Sequence, residues 1–202
     1  MRVFLASRNA KKIEEMERIL REHLPEVEVL GLDDVEPYDE PVEDQATFEG
    51  NALLKARAGF VATGLPSLAD VSGLCVDALN GMPGVLSARW SGPPKSDDRN
   101  NQLLLAQLED VTDERRTAHF MCAVAFVHAE GPDGEECASG VMPGRVIREC
   151  RGSGGFGYDV LFEADDRPGL TTAELSREDK DAISHRGWAL RRMAPIVARL
   201  LG

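Results

Sequence analysis

Three segments of the sequence put cations or unpaired backbone N–H groups where an anion could bind. The first is SRNAKK, Ser7 to Lys12, which falls between an apolar run and a helical pattern. A helix N-terminus at that point offers N–H groups and the positive end of the helix dipole. Ser7 and Asn9 add hydrogen-bonding side chains, and Lys11 or Lys12 adds charge. The stretch lacks the glycine spacing of a Walker loop, and a capped helix with solvated lysines describes it equally well. The second is RGSGGFGYD, Arg151 to Asp159, whose glycines allow close backbone approach to a ligand and whose Phe156 and Tyr158 could stack on a base. Its alternative is a tight turn anchored in the core by an aromatic ring. The third, DAISHRG, carries His185 and Arg186 in the last helical pattern, where the planar fork of Arg186 could pin a carbonyl or phosphate oxygen or simply face water. Lys55, four residues after Asn51 on another helical pattern, is open to the same two readings.

Carboxylates supply the complementary half. Asp39, Glu40, Glu43 and Asp44 crowd one loop, and Asp70 and Asp77 lie in LADVSGLCVDAL, residues 68 to 79, which otherwise reads as buried strand. Magnesium takes oxygen ligands from one or two carboxylates and completes its shell with water and substrate phosphate. An acidic loop is usually solvated, but one beside phosphate-binding elements is a metal-site candidate. A carboxylate in an apolar run is costly unless hydrogen-bonded, paired or bound to metal, so Asp70 demands a partner.

The elements that must position these residues follow from periodicity. RVFLAS reads as a first strand. AKKIEEMERILREHL is a helix, with Ile13, Met16, Ile19, Leu20 and Leu24 at helical spacing. VEVLGL is a second strand, and this opening suggests an α/β domain. After the acidic loop at 33–45, ATFEGNALLKARAGFVATG is helical and ends at Gly64. PSLADVSGLCVDAL is a strand, NGMPG a turn, and SDDRNNQLLLAQLEDV a helix with a serine or aspartate cap. TAHFMCAVAFVHA and EECASGVMPGRVIREC are strand-rich and joined by the hairpin signal EGPDGE. VLF, after the glycine-rich loop, is a short strand. SREDKDAISHRGWALRRMAPIVARLLG is expected as one long amphipathic helix, with Ser176 and Asp179 resembling a capping box.

The 202 residues suffice for one domain with a substantial core, and no linker or repeat divides them, so a single domain over 1–202 is expected. A formal net charge of −12 argues against a general nucleic-acid binder but leaves room for a nucleotide pocket with local lysines. The four cysteines, Cys75, Cys122, Cys137 and Cys150, lack zinc-site spacing; reduced, mostly buried thiols in a cytosolic protein are expected. The N-terminus turns charged too early for a secretory signal, and MCAVAFV is too short to span a membrane, so a soluble protein is expected.

Taken together the motifs resemble one family, the inosine triphosphate pyrophosphatases or XTP/dITP diphosphatases, over almost the full chain and in the family's order. SRNAKK resembles the first substrate loop, TFEGNALLKA the following helix motif, LADVSGLCVDALNGMPGVLSARWSG the central segment, GGFGYD the base-binding loop and KDAISHRG the C-terminal signature. The resemblance implies an elongated, two-lobed α/β fold with a long central mixed sheet, flanking helices and a deep cleft, assembled as a cytoplasmic homodimer. It implies Mg²⁺-dependent hydrolysis of dITP, ITP and XTP to the monophosphate and pyrophosphate. Carried to matching positions, Ser7, Arg8, Asn9, Ala10, Lys11 and Lys12 hold phosphates and ribose, Lys55 neutralises the triphosphate, and Glu43 takes part in binding metal. Ser72, Phe156, Gly157, Tyr158, Asp159, Lys180, His185 and Arg186 contact substrate. Water attacks the α-phosphorus, so charge on phosphate oxygens must be stabilised by Mg²⁺ and lysine. His185 and Arg186 are donors of the kind that a 6-oxo purine needs and adenine would leave unpaired.

One position departs from the family. Its central segment reads Ala-Asp-Asp-Ser-Gly-Leu, and the second aspartate is proton acceptor and metal ligand; here that residue is Val71, beside Asp70. Loss of a general base alone costs on the order of 10²–10⁴ in rate, about 3–5 kcal/mol of barrier. Gly50 replaces a residue often acidic in the family, a lesser departure. The expectations are therefore an enzyme of this family with impaired activity, a nucleotide-binding protein that no longer hydrolyses, or an enzyme in which Asp70 or Glu43 serves as base through a water.

Overall fold

The structure, a computed structural model, describes residues 1–129 and 131–202. Six strands form one sheet: β1 (Arg2–Leu5), β2 (Glu28–Leu30), β3 (Ser67–Val76), β4 (Thr117–Val127), β5 (Glu135–Val146) and β6 (Phe162–Ala164), in the order β2-β1-β3-β4-β5-β6. β1 pairs in parallel with β2 and with β3, whereas β5 and β6 are antiparallel, so the sheet is mixed. Among the described residues five α-helices accompany it: α1 (Ala10–Arg21), α2 (Phe48–Thr63), α3 (Asp97–Gln107), α4 (Arg177–Ile183) and α5 (His185–Leu201). This is the α/β mixed-sheet class expected from the sequence. Among the described residues no helix is long and apolar enough to cross a membrane. Glu130, part of the EGPDGE turn signal, lies outside the described residues.

The chain gathers into two units, Met1–Val71 with Cys122–Gly140 and Trp188–Gly202, and Ser72–Met121 with Val141–Gly187. Each has its own core. In the first, Val3 and Leu5 of β1, Leu68 of β3 and Val124 and Phe126 of β4 pack with Met16, Ile19 and Leu20 of α1 and Leu190, Met193 and Val197 of α5. In the second, Leu74, Val76, Leu104, Leu108, Met142, Leu161 and Phe162 form the cluster, and Ile183 of α4 joins it.

The register of the first unit fixes which face each β3 residue presents. Paired positions share a face of the sheet, and successive residues alternate. Leu5 pairs with Leu68, and both belong to the core under α1 and α5. Phe4 pairs with Ser67, and these two face α2: a Cβ on Gly59 would stand 2.6 Å from Phe4 Cε1 and 3.4 Å from Ser67 Oγ. Only glycine lets α2 approach that closely. Counting along β3, Asp70 shares the α1 face with Leu68, and Val71 shares the α2 face with Ser67.

Three sequence expectations are corrected. The C-terminal segment is two helices, because Ser184 is extended (φ −65°, ψ 139°) and its Oγ accepts from Gly187 N at 3.0 Å, capping α5 afresh. VLF is mostly a 3-10 turn over Asp159–Leu161, and strand β6 starts at Phe162. Of the cysteines, Cys75 and Cys122 are buried but Cys137 and Cys150 are exposed, so half rather than most are sheltered; among the described residues none is in a disulfide.

Candidate functional site

The sequence-predicted residues divide between the two units. In the first, Asn9 is the N-cap of α1, its Oδ1 accepting from Lys11 N at 3.0 Å and Lys12 N at 3.4 Å. Asn9 N in turn donates to Ser7 Oγ at 3.1 Å. The Ser7-to-Lys12 segment is thus a tightly capped helix start, with Ala10 and Lys11 exposed. Arg8 reaches into the acidic loop, where it pairs with Glu40 and lies 3.6 Å from Asp33.

Two half-sunk lysine–carboxylate pairs stand out in this unit. Lys12 Nζ is 2.8 Å from Asp70 Oδ2, and Asp70 is only 4 % exposed. This answers the demand that a carboxylate in an apolar strand be paired. Lys55 Nζ is 3.1 Å from Glu43 Oε1, with the two side chains 19 % and 30 % exposed. The loop bearing Glu43 is held there by Asn51, fully buried on α2. Gln45 N donates to Asn51 Oδ1 at 2.9 Å, and Asn51 Nδ2 donates to Gln45 O at 3.1 Å. The Lys12–Asp70 pair belongs to the α1 face of β3. Lys55 lies on α2, and residue 71 is directed to that helix's face. Val71 is 6 % exposed there and outside the α1–α5 core cluster.

In the second unit the glycine-rich loop is built around Asp159. Its Oδ1 accepts from Thr172 Oγ1 at 2.7 Å, and its Oδ2 accepts from Phe156 N at 2.8 Å and from Lys180 Nζ. The carboxylate is fully engaged in shaping the loop. Phe156 is 63 % exposed, with Lys180 Nζ 5.6 Å from its ring centroid. Tyr158, by contrast, is buried, and its hydroxyl donates to Ser87 O at 2.9 Å. Burial, with the charge of Asp97 nearby, pushes its phenol well above the usual range. Of the two readings of the loop's aromatics, the core anchor describes Tyr158, whose ring is buried, while the Phe156 ring is exposed. His185 stacks on Phe120 at 5.0 Å and 13° between planes, and Phe120 meets Phe162 edge-on at 4.7 Å. Arg186 follows at the start of α5, half-buried. Ser72 Oγ is buried with no hydrogen-bond partner among the described residues, an arrangement costing about 1–3 kcal/mol that a bound oxygen would relieve.

Two further residues were not singled out by sequence reasoning. Asp97 Oδ2 accepts from Gly157 N at 2.7 Å, and Asn101 Nδ2 donates to Gly157 O at 3.0 Å. The available signal was the position of the asparagines of α3, three and four residues before Leu104 on its buried stripe. Asn51, beside buried Ala52, gave the same signal. A polar side chain where periodicity asks for an apolar one is a reason to look for a backbone partner.

The donor chemistry suits a hard divalent cation. Glu43 beside α2 and Asp70 on the α1 face each offer carboxylate oxygens, and magnesium needs only one or two when phosphate and water complete its shell. Among the described residues no three His, Cys, Asp or Glu side chains gather as a ready cluster, and soft or imidazole donors play no part in this group.

The comparisons agree with the motif order. The family model described as the Ham1 family matches residues 3–196. A dITP/XTP pyrophosphatase of Nocardia farcinica is 57 % identical over 98 % of this chain and 96 % of its own length. The crystal structure of a nucleoside-triphosphatase, dITP/XTP pyrophosphatase, from Mycobacterium abscessus superposes with a TM-score of 0.80 at 51 % identity, covering 96 % of this chain and all of that one. A HAM1 protein from Coxiella burnetii gives 0.89 at 38 % identity, covering 98 % and 99 %. With a family model spanning nearly every residue and relatives matched end to end, the chain belongs to the Ham1 family.

Proposed function

We propose that this chain is a single-domain nucleoside triphosphate pyrophosphatase acting on dITP, ITP and XTP with Mg²⁺, slowed by the valine at position 71. The observation that carries the reading is the pair of half-sunk lysines, Lys12 and Lys55, each holding a carboxylate. These are groups that can exchange partners when a triphosphate arrives: the lysines would pair with phosphate oxygens, and Glu43, released by Lys55 on the α2 side, would become available as an oxygen donor for the metal. Relatives that match end to end and are named dITP/XTP pyrophosphatase support the same reading. It extends to the cytoplasmic homodimer implied by the resemblance.

In the reaction, a water oxygen bonds to the α-phosphorus as the bond to the bridging oxygen breaks, and pyrophosphate leaves. Lys12 and Lys55 hold the phosphate chain and stabilise the charge that builds on its oxygens. Magnesium, when bound, neutralises phosphate charge that two lysines alone leave uncompensated. The water's proton must go to a base. Val71 has none to offer, so Asp70 or Glu43 takes it through a second water, and turnover is correspondingly slow. Phe156 stacks on the purine, while His185 and Arg186 donate toward its 6-oxo group.

The reading predicts that the unsubstituted chain binds dITP and discriminates against dATP, because the lysines, the Phe156 loop and the His185–Arg186 pair are all present. Calorimetric titration with both nucleotides tests it; equal binding, or no binding of dITP, overturns it. A second expectation concerns the base alone. Arg186→Ala weakens dITP binding roughly tenfold or more, the scale of one charge-assisted hydrogen bond, and leaves pyrophosphate binding unchanged. If both ligands weaken together, Arg186 serves phosphate or the fold instead. Substitution at position 71 also favours a second reading, a nucleotide-binding protein without hydrolysis. Single-turnover release of pyrophosphate from dITP separates the two.

A further inference from the structure

We propose that Asp97 and Asn101 are positioning residues for purine recognition, gripping both backbone groups of Gly157 from one side of α3 and so fixing the pose of Phe156. The inference rests on the reading of the Phe156 loop as the base site. Asp97 and Asn101 are separated by one helical turn, so their side chains project from the same side of α3. One accepts from Gly157 N at 2.7 Å and the other donates to Gly157 O at 3.0 Å. Gly157 has φ +61°, the left-handed region that only glycine enters freely. A loop of such residues has many alternative conformations, and these two bonds restrict the peptides on either side of Gly157, the first of which it shares with Phe156.

The surroundings argue that this grip exists for the loop rather than for the core. Asn101 is 5 % exposed, yet its Oδ1 has no hydrogen-bond partner among the described residues. A leucine there would bury as well without stranding an acceptor. Phe156, the ring beside the gripped peptide, is the exposed aromatic of the loop, whereas Tyr158 on its other side is tied to Ser87 O. The glycine between the anchored Tyr158 and the exposed Phe156 ring is therefore held from a third point. Asp97 and Asn101 touch no base in this scheme; they raise the fraction of chains in which Phe156 is ready to receive one. Apparent affinity scales with that fraction.

The test has two independent readouts. In the ligand-free chain, Asp97→Ala accelerates hydrogen exchange at the Gly157 amide at least roughly tenfold, and a tenfold fall in the competent fraction raises the dITP dissociation constant tenfold. Pyrophosphate, which lacks a base, binds as before, and Asp97→Asn keeps an accepting oxygen and restores most of both properties. Asn101→Ala weakens dITP binding in the same base-only manner and supplies a second route should Asp97→Ala fail to fold. Unchanged exchange at Gly157 overturns the grip. Faster exchange with unchanged dITP affinity, or equal loss of dITP and pyrophosphate binding, overturns the role in recognition. If the unsubstituted chain binds no dITP while the exchange result holds, the base-site reading fails and takes the recognition role with it, leaving a purely structural tie.

Discussion

Val71→Asp raises the rate of dITP hydrolysis by at least roughly a hundredfold, the low end of what a general base contributes and about 2.7 kcal/mol of barrier. Valine and aspartate are close in size, and residue 71 lies in β3 with 6 % exposure, so the exchange is one of chemistry more than volume. Alternation along β3 directs the new carboxylate to the face of α2, the helix that carries Lys55, rather than to the α1 face where Lys12 holds Asp70. The new charge then faces the helix that carries Lys55 and, with magnesium bound, would be offset by the ion instead of being buried alone. Two measurements check this. Pyrophosphate release from dITP, at matched protein and excess magnesium, reports the rate. The melting temperature of the substituted chain, with and without magnesium in the absence of nucleotide, reports the metal: it should rise with magnesium in Val71→Asp and much less in the parent. Brisk turnover by the parent with no gain in the variant assigns the base elsewhere.

Lys12→Met lowers the unfolding free energy by about 2 kcal/mol, because it removes a charge-assisted hydrogen bond from the buried Asp70 carboxylate. Asp70 is the member that suffers: its side chain is 3 % exposed, against 22 % for Lys12, and the 2.8 Å bond between them is its charged contact from α1. The double variant Lys12→Met/Asp70→Leu should recover most of the loss, since replacing both partners by apolar groups of similar volume is often neutral or better. Urea denaturation of the three chains decides it. A loss below about 1 kcal/mol for Lys12→Met, with no recovery in the double variant, means that Asp70 is held chiefly by other groups. The result bears on function, because the pair that stabilises the resting chain is the one proposed to exchange partners on nucleotide binding.

Much of the fold was legible because its signals are local. Apolar spacing announced α1, and Asn9 and Ser96 are caps of the kind that sequence reveals, each accepting from N–H groups of its own first turn. Gly64, with φ +66°, ends α2 as its type and place imply. The single C-terminal helix was misread because periodicity cannot tell which core an apolar residue serves. Ile183 belongs to one cluster and Leu190, Met193 and Val197 to the other, and the break at Ser184 lies between them. VLF misled for a similar reason: a short apolar run is buried whether it is extended or, like Leu161 bonded back to Tyr158 O at 2.9 Å, turned.

By itself the sequence determined the family motifs, their order along the chain, and the valine that stands between Asp70 and Ser72. It could not assign partners, because the bonds that matter join positions far apart in the chain: Lys12 to Asp70 across 58 residues and Asn101 to Gly157 across 56. Only the tertiary structure decided that Asp70 is paired with Lys12, that Tyr158 is buried while Phe156 is exposed, and that residues 70 and 71 face opposite sides of β3. The physical reason is that a strand's alternation gives each residue a side, but which helix covers that side is fixed by packing: α2 closes on Phe4 through Gly59, and Leu68 shares one core cluster with Met16 and Ile19 of α1.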